Sequence, residues 1–144
     1  MIRIICVGKL KEKFYQEATL EYLKRLQKYH KVIIEEVMDS NMKQESILIQ
    51  KKIHEKDFVV TLEIEGKEMS SKEFSNFLDK TFLKTSSIIF IIGGSDGLSE
   101  EIKKRANEKI SFSRLTFPHQ LFRVILLEQI YRGFKIIANE SYHK

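Results

Sequence analysis

The chain reads as an α/β domain, a single mostly parallel sheet flanked by helices, on three observations. Short apolar strands alternate with stretches of helical period along the whole length. Segments such as FVVTLEI and IIFII are apolar or β-branched nearly throughout, as strands covered on both faces must be. No repeat, low-complexity tract or linker interrupts residues 1–144, and that length suits one domain with one substantial core. Strand order does not follow from pattern.

The elements follow in order. Ile2–Val7 is a continuous apolar strand, with Gly8 allowing the turn after it. Phe14, Ala18, Tyr22 and Leu26 recur every four residues, the stripe of an amphipathic helix ending near Tyr29. Val32–Val37 is a second strand, broken by Asp39–Asn41, and Lys43–His54 follows as a helix with Ile47 and Ile53 inward. Phe58–Ile64 is a third strand, after which Glu65-Gly66-Lys67 turns the chain. Ser70 and Glu73 form a capping box that opens a helix to about Phe82. Ile88–Ile92 is a fourth strand, and Ser99 caps a helix whose first turn carries Glu100 and Glu101 against the dipole. Ile110–Phe117 alternates as a fifth strand, and Pro118 begins a long helix to about Ala138.

That last helix is apolar around most of its circumference: Leu121, Phe122, Val124, Ile125, Leu126, Leu127, Ile130, Tyr131, Phe134, Ile136 and Ile137 cover more than one face. A helix of this kind must bury more than one side. In so small a domain a homodimer interface is the simpler explanation, a wholly internal helix the other.

Composition narrows the class. Apolar residues make up 42% and charged residues 31%, ordinary for a globular protein, and no apolar run approaches the ~20 residues that span a bilayer. The N-terminus lacks a small-residue cleavage pattern and reads as a strand, not a signal peptide. The one cysteine, Cys6, falls within that strand as a buried thiol; it excludes an intramolecular disulfide and fits a reducing cytoplasm. A net charge of +5 permits a nucleic-acid partner without requiring one. Its clusters, Lys9, Lys11 and Lys13 and then Lys103, Lys104 and Arg105, read equally as solvated faces.

Chemistry concentrates in the last third. A buried strand opens into Gly93-Gly94-Ser95-Asp96-Gly97, and another runs into Pro118 with His119 beside it. Two backbone-rich turns at adjacent strand ends suit a small polar ligand in a parallel α/β fold. The glycine turn is neither a P-loop nor a G-x-G-x-x-G fingerprint, which argues against ATP hydrolysis and dinucleotide binding. Asp96 can bind a ligand hydroxyl or merely hold the turn. Histidines and carboxylates show no metal-ligand spacing, so no metal is expected, and no serine sits in a nucleophile elbow. His119 alone reads as a cap or packing residue. The tail Tyr142-His143-Lys144 reads as chain-end disorder, or as an aromatic, an imidazole and a cation that hold a base and its phosphate.

GKLKEKFYQEATLEYLKRL, TLEIEGKEMSSKEF, IGGSDGLSEE, SFSRLTFPHQLFRVILLEQIYRGFKI and the terminal YHK together resemble the RlmH family, ribosomal RNA large subunit methyltransferases of the SPOUT superfamily. The resemblance runs over essentially the whole chain in order. One departure is Lys144 where some members have arginine, which keeps a cation but loses the bidentate fork. The resemblance implies a C-terminal trefoil knot, a homodimer, S-adenosylmethionine as methyl donor, and methylation at N3 of a pseudouridine in helix 69 of 23S ribosomal RNA, on assembled ribosomes. It implies a cofactor pocket at Leu62, Gly93, Gly94 and the stretch Phe112, Ser113, Arg114, Leu115, Thr116 and Phe117. Leu62, Leu115 and Phe117 would line an adenine slot, and Gly93 and Gly94 would admit the ribose or sulfonium region without a Cβ clash. The imide proton of N3 must leave, so His143 first and His119 second are expected on the substrate side. Tyr142 would stack on the base, and Arg123, Arg132 and Lys144 would hold phosphate. Arg132 also lies four residues after Glu128, where a plain helix salt bridge competes. Two other readings fit the same residues: a non-catalytic ribosome-associated module, and an α/β enzyme that binds another adenine nucleotide.

Overall fold

A computed structural model describes residues 1–142. Its elements are β1 (Ile2–Val7), α1 (Lys13–Leu26), β2 (Val32–Val37), α2 (Met42–Lys52), β3 (Phe58–Glu68), α3 (Ser71–Phe82), β4 (Ile88–Ile92), α4 (Glu100–Arg105), β5 (Glu108–Ser111) and α5 (His119–Ile137). The five strands form one sheet in the order β2-β1-β4-β3-β5, and every pairing is parallel.

Strand period explains the layers. Ile2, Ile4 and Cys6 of β1 and Ile88, Phe90 and Ile92 of β4 alternate with Ile5 and with Ile89 and Ile91, and the two sets enter different cores. The first core takes Leu26 of α1, Phe74 and Leu78 of α3, and Leu126, Leu127, Ile130 and Phe134 of α5. The second takes Ile49 of α2 and Ile102 of α4. Ile2, Ile4, Ile5, Ile88, Ile89 and Ile91 are fully buried, each worth about 1.5–3 kcal/mol relative to exposure. β1 is not wholly apolar, however. Arg3 is buried within it and held by Glu35 at 2.8 Å, Asp57 at 3.3 Å and the Lys52 carbonyl at 2.7 Å. The Glu35 hydrogen bond holds that carboxyl below the usual carboxylate range.

Several expectations are corrected. The fifth strand stops at Ser111, not Phe117, because its partner ends there: Glu68 opposite Ser111 is the last pairing. Residues 112–118 therefore leave the sheet as a loop, in which the Ser113 hydroxyl accepts from the Leu115 amide at 2.9 Å. Glu65-Gly66-Lys67 is no turn. β3 continues to Glu68 with a register shift between Leu62 and Lys67, and a Cβ on Gly66 would lie 2.7 Å from the Ile110 carbonyl carbon, so only glycine lets β3 close onto β5 here. In α2 it is Ile49, not Ile47, that faces the core. α1 ends at Leu26, and Phe14 at its start is exposed. Nor are the two ligand-facing turns at adjacent strands: β3 lies between β4 and β5.

The capping box is present, with Ser70 accepting from Glu73 N–H and Glu73 returning the bond at 2.8 Å. Pro118 is the N-cap of α5. No helix among the described residues is long and apolar enough to cross a membrane.

Candidate active site

Because all strands run one way, the ends of β3, β4 and β5 open on a single edge of the sheet. A cavity of about 740 Å³ lies there, within the range of small-molecule sites. Its walls are Leu62–Glu65 from β3, the turn after β4, the loop after β5, and His119 and Phe122 from the first turn of α5. A second cavity of about 190 Å³ lies behind Phe112 and Phe117, which line both, and is too small for a nucleoside.

Of the residues expected around the cofactor, Leu62, Gly93, Gly94, Phe112, Ser113, Leu115, Thr116 and Phe117 line the larger cavity, as does His119. Arg114 is exposed on the same loop but is not part of the wall. Leu62, Ile92, Leu98, Phe112, Phe117 and Phe122 give the cavity an apolar body, and Lys103, paired with Glu63 at 3.7 Å, adds a charged edge.

The glycine turn is closed by Gly97 N–H donating to the Gly94 carbonyl at 3.0 Å. Its glycines are needed for unlike reasons. A Cβ on Gly93 would meet Gly97 backbone carbon at 3.0 Å and Leu98 Cδ2 at 3.1 Å, so the turn would have to give way slightly to take it. A Cβ on Gly94 would come within 2.9 Å of Glu45 Oε1. At both positions the atoms nearest such a Cβ belong to the protein, and both residues still line the cavity. Gly97 differs: it holds φ at +81°, and a Cβ there would meet nothing within 4 Å. The freely approachable backbone of the turn is at Gly97.

Behind the turn stands Glu45 of α2, a residue no sequence pattern singled out. It is buried at 4% exposure, and its Oε2 accepts from the Ser40 amide at 2.9 Å. Burial raises its pKa, and Asp39 and Asp96 push in the same direction. Ser46, its neighbour, shares a hydrogen bond of 2.6 Å with Ser99, the cap of α4. α2 therefore props the glycine turn from below.

Arg123 is 2% exposed, its guanidinium held by the Glu36 carboxylate and, at 3.3 Å, by the Gly8 carbonyl, while its Nε has no hydrogen-bond partner. It ties the ends of β1 and β2 to α5 and is not brought to the cavity. Arg132 pairs with Glu128 at 2.9 Å, the helix salt bridge weighed against a phosphate role. Tyr142 donates to Glu128 at 2.9 Å, packs edge-on against Tyr131 and lies under the Arg132 guanidinium. Burial, then Glu128, holds its phenol protonated well above the usual range. Glu128 and Arg132 are roughly 14–20 Å along α5 from His119 at 1.5 Å per residue, so the Tyr142 ring is apart from its own chain's cavity. His143 and Lys144 lie outside the described residues. Cys6 is buried and its thiol is pushed up to about 11, an inert packing group. The described residues contain no cluster of three or more histidine, cysteine or acidic side chains able to hold a metal.

The fold and the cavity define a parallel α/β protein with a nucleoside-sized site at the carboxyl edge of its sheet. The family profile described as "Predicted SPOUT methyltransferase" matches residues 1–143. Proteins named ribosomal RNA large subunit methyltransferase H are similar over the full length. That of Caldicellulosiruptor saccharolyticus is 47% identical over 154 residues, covering 100% of both chains. That of Clostridium botulinum strain Kyoto is 50% identical over 157 residues, covering 99% of each. Two solved structures share the fold. A probable methylase family protein from Haemophilus influenzae has a TM-score of 0.59 at 8% identity over 99% of this chain and 70% of its own. A TrmH/SpoU tRNA modifying enzyme from A. aeolicus has a TM-score of 0.50 at 14% identity over 95% and 77%. The chain belongs to the RlmH family of SPOUT methyltransferases.

Proposed function

We propose that this chain is a 23S ribosomal RNA (pseudouridine-N3)-methyltransferase that uses S-adenosylmethionine and acts on helix 69 of assembled ribosomes, in the cytoplasm, as a homodimer. The observation that carries the cofactor assignment is the cavity of about 740 Å³, where eight of the nine expected cofactor residues converge. Its chemistry fits the group. Leu62, Phe112 and Phe117 offer an apolar slot for adenine, Gly97 a backbone that a ribose can approach, and the Ser113 and Thr116 hydroxyls polar contacts for the amino-acid end. Bound there, S-adenosylmethionine supplies an electrophilic methyl carbon.

The protein's own part is chiefly orientation, which can contribute several kcal/mol of the barrier. Leu115, 72% exposed, and Ile64, 48% exposed, stand at the mouth, where a flipped base would cover them and exclude water. The N3 proton needs an acceptor; His119, exposed at the mouth, and His143 are the candidates.

Dimerisation has a specific surface in its favour. At 100° per residue, Leu121, Val124 and Ile125 share the face of α5 that turns away from the sheet, and all three are only half-buried. Leu127 and Ile130 are fully buried in the chain's own core. Because Tyr142 sits well along α5 from its own cavity, a substrate role for the tail requires it to serve the other protomer's site. Membership of the family supports a trefoil knot, with the loop after β5 and α5 as the threaded segment.

Calorimetry with S-adenosylmethionine and with ATP, followed by transfer of labelled methyl to intact ribosomes, tests this reading. Binding of S-adenosylmethionine with labelled 23S RNA is expected. Binding of ATP alone would favour the other adenine-nucleotide enzyme, and ribosome binding without either ligand the non-catalytic module.

A further inference from the structure

Cations on the first loop were left unused by that reading. Gly8–Glu12 connects β1 to α1, and its backbone is pinned along its length, the Gly8 amide donating to the Val37 carbonyl at 2.8 Å. The Gly8 carbonyl accepts from buried Arg123 at 3.3 Å, the Leu10 carbonyl accepts from Gln16 at 2.8 Å, and the Lys11 amide donates to Gln120 Oε1 at 2.9 Å. One of these anchors, Gln120, follows His119 in the first turn of α5, which supplies His119 and Phe122 to the cavity. The loop is therefore a fixed rim beside the mouth.

Lys9 and Lys11 are exposed, and among the described residues neither makes an ion pair, whereas Lys13 has Glu17 at 3.9 Å. Fixed backbone with unpaired ammonium groups is what a polyanion needs: the ordering cost falls on the protein's fold, and only lysine rotamers remain to be settled on binding.

We propose that Lys9 and Lys11 form an RNA-backbone contact that holds two phosphates flanking the nucleotide in the cavity. The partner is a phosphodiester chain, and the contact is sequence-blind. It rests on the methyltransferase reading above and adds to it how the strand is held at the mouth.

The test is the double variant Lys9→Gln/Lys11→Gln, compared with Lys56→Gln/Lys84→Gln, which removes equal charge from exposed positions preceding β3 and β4 at the opposite edge of the sheet. Binding to intact ribosomes and to protein-free 23S RNA is measured across salt concentration, with melting and S-adenosylmethionine affinity as fold controls. The rim variant should melt and bind S-adenosylmethionine like wild type. Its slope of log affinity against log salt should be shallower by about 1.4–1.8 on both substrates, about 0.7–0.9 per phosphate. The control should keep the wild-type slope. An unchanged slope in the rim variant, or an equal fall in the control, overturns the proposal. A fall on ribosomes but not on protein-free RNA also overturns it, since the partner is then a ribosomal protein. Absence of methylation by wild type would instead bring down the reading on which it rests.

Discussion

Replacing Arg123 by glutamine separates a structural arginine from a phosphate ligand. The guanidinium is 2% exposed and bonded to Glu36 and to the Gly8 carbonyl, so the lost charge-assisted contact is worth about 1.5–3 kcal/mol in a buried setting. Two features reduce that. The Glu36 side chain is 36% exposed and regains water once its partner leaves. The Nε of Arg123 has no partner, and removing a buried unsatisfied donor relieves a penalty of about 1–3 kcal/mol. The loss of packed side-chain stem works in the opposite direction. With about 0.8 kcal/mol for a lost buried methylene, the net expectation is a loss of about 1 kcal/mol, roughly 3 °C in melting temperature for a domain of this size. Urea and thermal melts of Arg123→Gln, Glu36→Gln and the double variant form a cycle, in which the pair should couple by about 1 kcal/mol. The salt dependence of ribosome binding should be that of wild type. An unaltered melt with a shallower salt slope would refute the argument and return Arg123 to the substrate.

Three further outcomes follow from the same geometry. Gly93→Ala should lower both melting temperature and S-adenosylmethionine affinity, because its Cβ meets the Gly97 backbone at 3.0 Å; Gly97→Ala should cost about 1–2 kcal/mol from its positive φ alone, and Gly97→Asn less. Differential scanning fluorimetry with and without ligand reads both. Val124→Asp should give a folded monomer by sedimentation, while Leu127→Asp should fail to fold, since Leu127 is fully buried in the chain's own core. Folded monomer from both, or dimer from Val124→Asp, would dismiss the α5 face. For Glu45 the folded pKa is raised by burial, so its charged form is disfavoured in the fold and stability falls as pH rises through that pKa. Glu45→Gln should therefore gain on wild type as pH increases from about 4 to about 7, and a constant difference in melting temperature would contradict the assignment.

The sequence was legible where local chemistry decides. The apolar runs, the Ser70 capping box, the Ser99 cap and the proline before α5 all appear where period and capping place them. It was opaque where a neighbour decides. The extent of β5 depends on where β3 runs out at Glu68, and Gly66 is a strand glycine only because Ile110 comes so close. Arg3 and Arg123 look like surface cations in one dimension; what buries them is the arrival of Glu35, Asp57 and Glu36 from other strands and loops. The cavity-lining set was named through resemblance; its independent signals were the glycines after an apolar strand and the turn at Pro118 and His119. Glu45 had none, because nothing about a glutamate in a helix foretells that a turn about fifty residues later will rest on it.

Mapping the transferred methyl group decides whether the protein is a ribosomal RNA methyltransferase of the proposed specificity. Ribosomes lacking the modification are incubated with the protein and labelled S-adenosylmethionine, and the 23S RNA is digested and sequenced by mass spectrometry. One methyl per ribosome is expected, on N3 of a pseudouridine in helix 69, with protein-free RNA a poorer substrate. Label on a different nucleotide, on transfer RNA, or on no RNA at all would contradict it.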